Sequence, residues 1–266
     1  MPNIAGWVVS IFCLTVLFAG ATSAQDPSNS RTSIQIAIDK QKERLSSSDV
    51  EERRDALMRL GAMRRAEASR VAQSALNDPA PIVRATAVGS VGSLPSEEAA
   101  GALLPLLSDL DEFVRQQTAY ALGYTRSRRA VAPLLERLNV DKMDSVRAAA
   151  VVALGQIEDE AAVVPLVEVL SARADSKGKK KRESNEFILR AAAQSLGEIR
   201  SRAAVPALID LLGNEKAPID VRREASTALG LIGDSTAGSA LQAAAENDDV
   251  YLARASQEAL RRLRKS

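Results

Sequence analysis

One short pattern of apolar and polar positions returns seven times along this chain. With an arginine as position zero, an apolar residue stands at minus one, small residues at plus three and plus four, leucine or a substitute at plus seven, and glycine at plus eight. Val146 to Gly155, VRAAAVVALG, is the clearest copy. At about 100° per residue, the minus-one, plus-three, plus-four and plus-seven positions lie within about 140° of one another, so each copy predicts a helix with one apolar face. Glycine closes that helix. The closing positions are Gly61, Gly92, Gly123, Gly155, Gly197, Gly230 and Arg261, separated by 31, 31, 32, 42, 33 and 31 residues. A steady period with one insertion of about ten residues predicts stacked repeats, because no single such helix can bury its face alone.

A second apolar segment lies between copies and carries a proline: Pro105-Leu106-Leu107, Pro133-Leu134-Leu135, Pro165-Leu166-Val167 and Pro206-Ala207-Leu208. Each unit is therefore predicted to be a helical hairpin, the proline in its first helix and the Val-Arg pattern in its second. Asp78-Pro79 reads as a capping residue and first-turn proline at the start of a second helix. The first copy has Glu52 in the apolar place and the last has Arg261 for glycine, as expected of terminal units with one polar face.

The pairing of a proline-bearing helix with VRQQTAYALG (Val114 to Gly123), VRAAAVVALG and VRREASTALG (Val221 to Gly230) resembles HEAT repeats, in the short form found in phycobilin-lyase-like proteins. The resemblance covers residues 32–264 and implies an all-α, right-handed α-solenoid of about seven hairpins. It implies that the Val-Arg helices line the concave side and that an Asp/Arg ladder links neighbouring repeats. The matching residues are Asp78 with Arg84, Asp109 with Arg115, and Asp141 with Arg147, each pair six apart, together with Arg222. In the fifth copy Leu189 holds the arginine place, and in the seventh Ala253 does.

Composition narrows the function. Aromatic residues make up only 3% of the chain and 35 basic residues nearly balance 34 acidic ones, so no global field draws nucleic acid or a membrane surface. There is no histidine, and the one cysteine, Cys13, precedes the repeats. No catalytic or metal-binding set follows, and no cofactor is expected. The His-Glu di-iron chemistry of one HEAT-repeat class cannot be carried over. Residues 1–24, with an apolar run from Trp7 to Ala19 and small residues through Ala24, read as a signal peptide or an N-terminal anchor. Residues 25–31 read as a polar linker. The chain is thus expected to be exported, most plainly to a bacterial periplasm.

Three surfaces are candidates for binding. Opposite the core face, plus five and its neighbours form a stripe holding Gln116, Gln117, Tyr120, Val152, Arg190, Gln194, Arg223 and Thr227, groups suited to a protein or peptide segment. The same residues also suit ordinary solvated helix. The insertion at 174–185 gathers Lys177, Lys179, Lys180, Lys181 and Arg182, which could tether an anion but also fit a solvated loop. The turns between units alternate in sign, from Arg64 and Arg65 to Glu97 and Glu98, then Arg126, Arg128 and Arg129, then Glu158, Asp159 and Glu160, then Arg200 and Arg202. They predict an edge of exposed ion pairs or a charge-patterned docking edge. A non-catalytic scaffold that binds a protein along its concave face fits these features. The alternative is an accessory lyase or chaperone for a protein-bound cofactor.

Overall fold

The computed structural model describes residues 27–173 and 179–264; the region read as signal or anchor, and Lys177, lie outside the described residues. Two compact units divide at residue 37, and the repeats occupy the second, Ile38–Ser266. The described chain is helical. The first hairpin is α1 (Pro27–Arg44) and α2 (Val50–Ala62), and α1 begins inside the stretch read as a linker. The next five are α3 (Ala66–Ala72) with α4 (Pro81–Ser90), α5 (Ser96–Leu103) with α6 (Glu112–Thr125), α7 (Val131–Val140) with α8 (Asp144–Ile157), α9 (Val163–Arg173) with α10 (Lys179–Ile199), and α11 (Val205–Gly213) with α12 (Ile219–Ile232). The last is α13 (Gly238–Ala244) with α14 (Val250–Leu263).

The second helices form one row, α2, α4, α6, α8, α10, α12 and α14, each packed on the next. Successive first helices touch far less extensively. The closer spacing of the second-helix row is what a concave side requires. The core between the rows is built from the predicted positions: Val83, Ala87 and Val88 of α4, Val114, Ala119 and Leu122 of α6, and Val146, Ala150, Val151 and Leu154 of α8 are all buried. Small and branched aliphatic side chains fill it, and no described aromatic residue is buried there.

The glycine of the pattern has a different role from the one expected. Except at Gly92, which follows the end of α4, it sits inside the second helix and faces the plus-six residue of the following second helix. A Cβ on Gly197 or Gly230 would come within 2.8 Å of the Cα of Ala228 or Ala259, and one on Gly155 within 2.7 Å of the Ser195 Cβ. The missing side chain lets neighbouring helices touch backbone to backbone. The helices close three residues later, at Arg64, Arg126, Glu158, Arg200 and Gly233, all left-handed. A side-chain-bearing residue costs about 1–2 kcal/mol in that conformation. Arg200→Gly is therefore expected to raise stability by up to about 1 kcal/mol, and Gly233→Ala to lower it by about as much, read as shifts in urea midpoint.

Candidate functional site

The polar spine of the array is built one residue type at a time. Asp78, Asp109 and Asp141 stand in the loops before α4, α6 and α8. Each carboxylate accepts from the amide two residues on, those of Ala80, Asp111 and Met143, and so shapes the loop itself. Pro81, not Pro79, occupies the first turn of α4. The guanidinium that grips each carboxylate comes from the preceding unit. Arg53 holds Asp78 through Nε and Nη2 at 2.7 and 2.9 Å. Arg84 holds Asp109 at 2.7 Å through both, and Arg115 holds Asp141 at 2.8 and 3.1 Å.

The six-apart pairs expected from the resemblance thus meet differently. Arg84, Arg115 and Arg147 donate from Nη1 to the main-chain carbonyls of Asp78, Asp109 and Asp141, not to their carboxylates. The carboxylate has already been taken from 25 or 26 residues upstream. Arg147 pairs with Asp144 within its own helix. Arg222 donates to the Leu212 carbonyl at 2.9 Å, and its neighbour Arg223 makes the inter-unit fork, to Asp249 at 3.1 and 2.8 Å. Arg53, Arg223 and Asp249 are rungs that sequence reasoning missed. The Arg53 hydrogen bonds hold the Asp78 carboxyl below the usual range. For Asp109 and Asp141, burial pushes the carboxyl up, and the arginine fork, the loop amide and the arginine charge together outweigh it.

The turns between units carry the alternating charges as neighbours. Arg128 meets Asp159 at 3.2 Å, Arg126 meets Glu158 at 3.4 Å, Arg202 meets Asp234 at 3.5 Å and Arg129 meets Glu97 at 3.8 Å, while Glu98 is met at 2.9 Å by Arg70, from within α3 and not from a turn. The charges of this edge are thus largely spent on one another. In the insertion, the helical backbone reaches back to Lys179, so Lys179, Lys180, Lys181 and Arg182 belong to the first turns of α10 and not to a loop. Lysine, arginine and glutamate are good helix formers, which explains the extension.

The outward face of the second helices is turned somewhat from the expected stripe. Minus two, plus two, plus five and plus nine fall at about 160°, 200°, 140° and 180°, a single strip. Plus one lies nearer the next helix. On α8 the plus-one Ala148 and also the plus-two Ala149 are buried by close packing, leaving Ser145 and Val152 half-buried as its outward residues. On the strip lie Phe113, Tyr124, Phe187 and Tyr251, exposed to 45, 76, 44 and 69%. Tyr120, half-buried, lies on it too. These five are all the aromatic residues of the described chain: of the eight in the sequence, the other three are Trp7, Phe12 and Phe18. None of the four now added to Tyr120 falls at plus one, two or five, and turning the helix by the contact angle of its glycine would have found them.

The strip changes character along its length. On α4 it shows Ile82, Thr86 and Gly89; on α6 Phe113, Gln117, Tyr120 and Tyr124; on α8 Ser145 and Val152, the Gln156 side-chain oxygen being buried against Gly123. None of these carries a charge. Charges stand on either side of these three helices: Glu51 and Asp55 hold the same places on α2, and from α10 onward come Glu198, Asp220, Glu224, Glu258 and Arg262. Here Arg190 lies over the Phe187 ring at 5.6 Å, and the Gln194 amide donates to Glu198 at 2.9 Å. Arg223 lies over the Tyr251 ring at 5.0 Å, and Thr227 donates to the Arg223 carbonyl at 3.1 Å. Arg223 and Thr227 are therefore committed within the protein, whereas Gln116, Gln117 and Tyr120 sit half-buried in the neutral stretch. Burial pushes the Glu224 carboxyl up, only partly countered by Arg190 and reinforced by Glu198.

A pocket of about 370 Å³ opens in the neutral part, between α4, α5 and α6. It exists because α4 stops a turn early, at Ser90, where Gly89, Gly92 and Pro95 disfavour helix. Gly92 then makes no close contact with α6, and a Cβ on Gly89 would meet nothing within 4 Å. Val88, Leu94 and Leu103 form the apolar floor, and Gln117, Tyr120 and Tyr124 the rim. The Ser96 hydroxyl, donating to the Thr125 carbonyl, ties α5 to the end of α6 beside it.

Known proteins place this architecture. No curated protein matches the chain. Among solved structures, the CpcE and CpcF complex of phycocyanin lyase from Nostoc sp. PCC7120 is 21% identical, with 86% of this chain and 87% of that one covered at a TM-score of 0.51. Human deoxyhypusine hydroxylase in complex with glycerol is 19% identical over 91% of this chain and 100% of that one, at a TM-score of 0.44. The family model for HEAT repeats matches residues 38–123, 101–184 and 179–261, which together span the hairpins described above. The chain belongs to the HEAT-repeat family.

Proposed function

We propose that this protein is an exported, non-catalytic HEAT-repeat scaffold that binds a protein partner on the outward face of its second helices. The observation that carries the reading is the placement of aromatic residues. Phenylalanine and tyrosine bury more area than any aliphatic side chain and ordinarily anchor cores. Here the core does without them, and all five stand on one strip, where aromatic groups are characteristic of interfaces. Family membership agrees with a binding surface of this extent. Export rests on the apolar and small-residue pattern of residues 1–24. Among the described residues, no helix is long and apolar enough to cross a membrane. A role as accessory lyase or chaperone has only a likeness of fold behind it.

Site-specific photo-crosslinking in native cells tests the reading. A photoreactive residue replacing Tyr120 or Tyr251 is expected to trap one protein species, and one replacing Val164, exposed on the first-helix row, is expected to trap none. Fractionation of the same cells should recover the protein outside the cytoplasm. Equal trapping from both rows, or none from the aromatic strip, would sink the partner-binding reading.

A further inference from the structure

We infer that the neutral stretch of the strip, over α4, α6 and α8, holds an uncharged, proline-rich segment of the partner in extended polyproline form. One pyrrolidine ring or small apolar side chain enters the pocket between Gly89 and the two α6 tyrosines. This rests on the partner-binding reading of the same face and adds the chemistry of the occupant.

Charge selects first. In a chain that is 26% charged, the outward positions of three consecutive helices bear no charge at all. A charged side chain brought onto this patch would lose water and gain no counter-ion. Hydrogen bonding selects next. Among the described residues, the Gln117 amide and the Tyr120 and Tyr124 hydroxyls have no hydrogen-bond partner in the protein. A helix bound here would bring an apolar stripe whose backbone groups are already satisfied, and would leave these polar tips unpaired. A polyproline segment has no internal hydrogen bonds, so its carbonyls face outward to meet donors of this kind. Proline brings no N–H of its own that would need an acceptor. Shape selects last. Tyr120 and Tyr124, four residues apart on α6, stand side by side, and an aromatic rim over an apolar floor is the form that docks flat proline rings.

Binding of fluorescein-labelled peptides to the full chain, followed by anisotropy, tests this. The probes are a twelve-residue Pro-Pro-Leu repeat, the same peptide with alanine for proline, and one with glutamate or lysine for leucine. The uncharged proline peptide is expected to bind, the others at least about tenfold more weakly, with no dependence on salt because no ion pair forms. Gly89→Leu fills open space in the pocket, and Tyr124→Ala removes an exposed ring, so neither threatens the fold. Each should weaken the proline peptide at least about tenfold. Tighter binding of the alanine or charged peptides, salt-sensitive binding, or an affinity that survives both substitutions would overturn the inference. Partner trapped through residue 120 but not displaced by the proline peptide overturns the occupant's chemistry and leaves the docking face standing. Peptide binding with no trapping from residue 120 or 251 removes the partner-binding reading instead.

Discussion

Replacing Gly197 by valine will divide the unfolding of the array into two transitions. The Cβ of even an alanine there would lie 2.8 Å from the Ala228 Cα and 2.9 Å from its Cβ. The first of these is backbone, and only separation of α10 from α12 can relieve the clash. Overpacking of this kind costs about 1–3 kcal/mol for small additions. Valine adds two further methyl groups at the same junction. In an array whose stability is a sum of unit and neighbour terms, weakening one junction uncouples the units on its two sides. Circular dichroism in urea is expected to show one transition for the native chain and two for Gly197→Val, with Gly197→Ala between them. Gly89→Ala is the control. Its Cβ meets nothing within 4 Å, and alanine favours helix by about 1 kcal/mol over glycine, so the midpoint should rise slightly. A single unchanged transition in Gly197→Val would remove the close-contact account of the repeat glycine.

Removing one carboxylate of the spine should be nearly as costly. Asp141→Ala leaves the Arg115 guanidinium, whose side chain is 14% exposed, without its fork, and takes away the acceptor for the Met143 amide. Breaking a buried pair by deleting one partner costs about 3 kcal/mol or more, since the remaining charge stays desolvated. The sign with pH follows from the direction of the shifts. Asp78, Asp109 and Asp141 all have carboxyls held below their ordinary value in the folded protein. The unfolded chain therefore binds protons first, and stability present above about pH 4–5 is lost as pH falls through the folded values. Native protein should lose stability steeply on acidification below about pH 4, and Asp141→Ala should lose less of it. Identical acid slopes would show that the forks do not couple folding to protonation. The exposed edge pairs, such as Arg128 with Asp159, contribute only about 0–1 kcal/mol each and should respond to salt where the spine does not.

These two experiments fall on the features that local reading of the chain missed. The apolar positions were legible because a helix buries one face whatever it packs against, so Val114, Ala119 and Leu122 could be placed in the core from spacing alone. The alternating edge was legible for the same reason: equal periods bring equal places together. What a single unit cannot reveal is the identity of a contact one period away. Gly197 looks like a helix terminator when only its own segment is considered, and its true neighbour, Ala228, is 31 residues on. Asp109 and Arg115 look like partners at six residues, yet the carboxylate is claimed by Arg84 from 25 residues before. The outward strip was missed by an error of angle. Counting from the core face alone centres it on plus five; the glycine contact fixes how each helix is turned, and brings Phe113, Tyr124, Phe187 and Tyr251 into line with Tyr120. The neutral pocket required one further irregularity, the early end of α4, which Gly89 and Gly92 hinted at only in retrospect.

The absence of aromatic residues from the described core has an optical consequence. Tyr120, Tyr124 and Tyr251 are the only tyrosines of the chain, and all three stand on the outward strip. Tyrosine absorbance and emission therefore report on the surface of the repeats and hardly on the packing between them. A ligand settling over α6 would perturb two of the three tyrosines directly, with no label attached, while the described core, which holds no aromatic ring, stays spectroscopically silent.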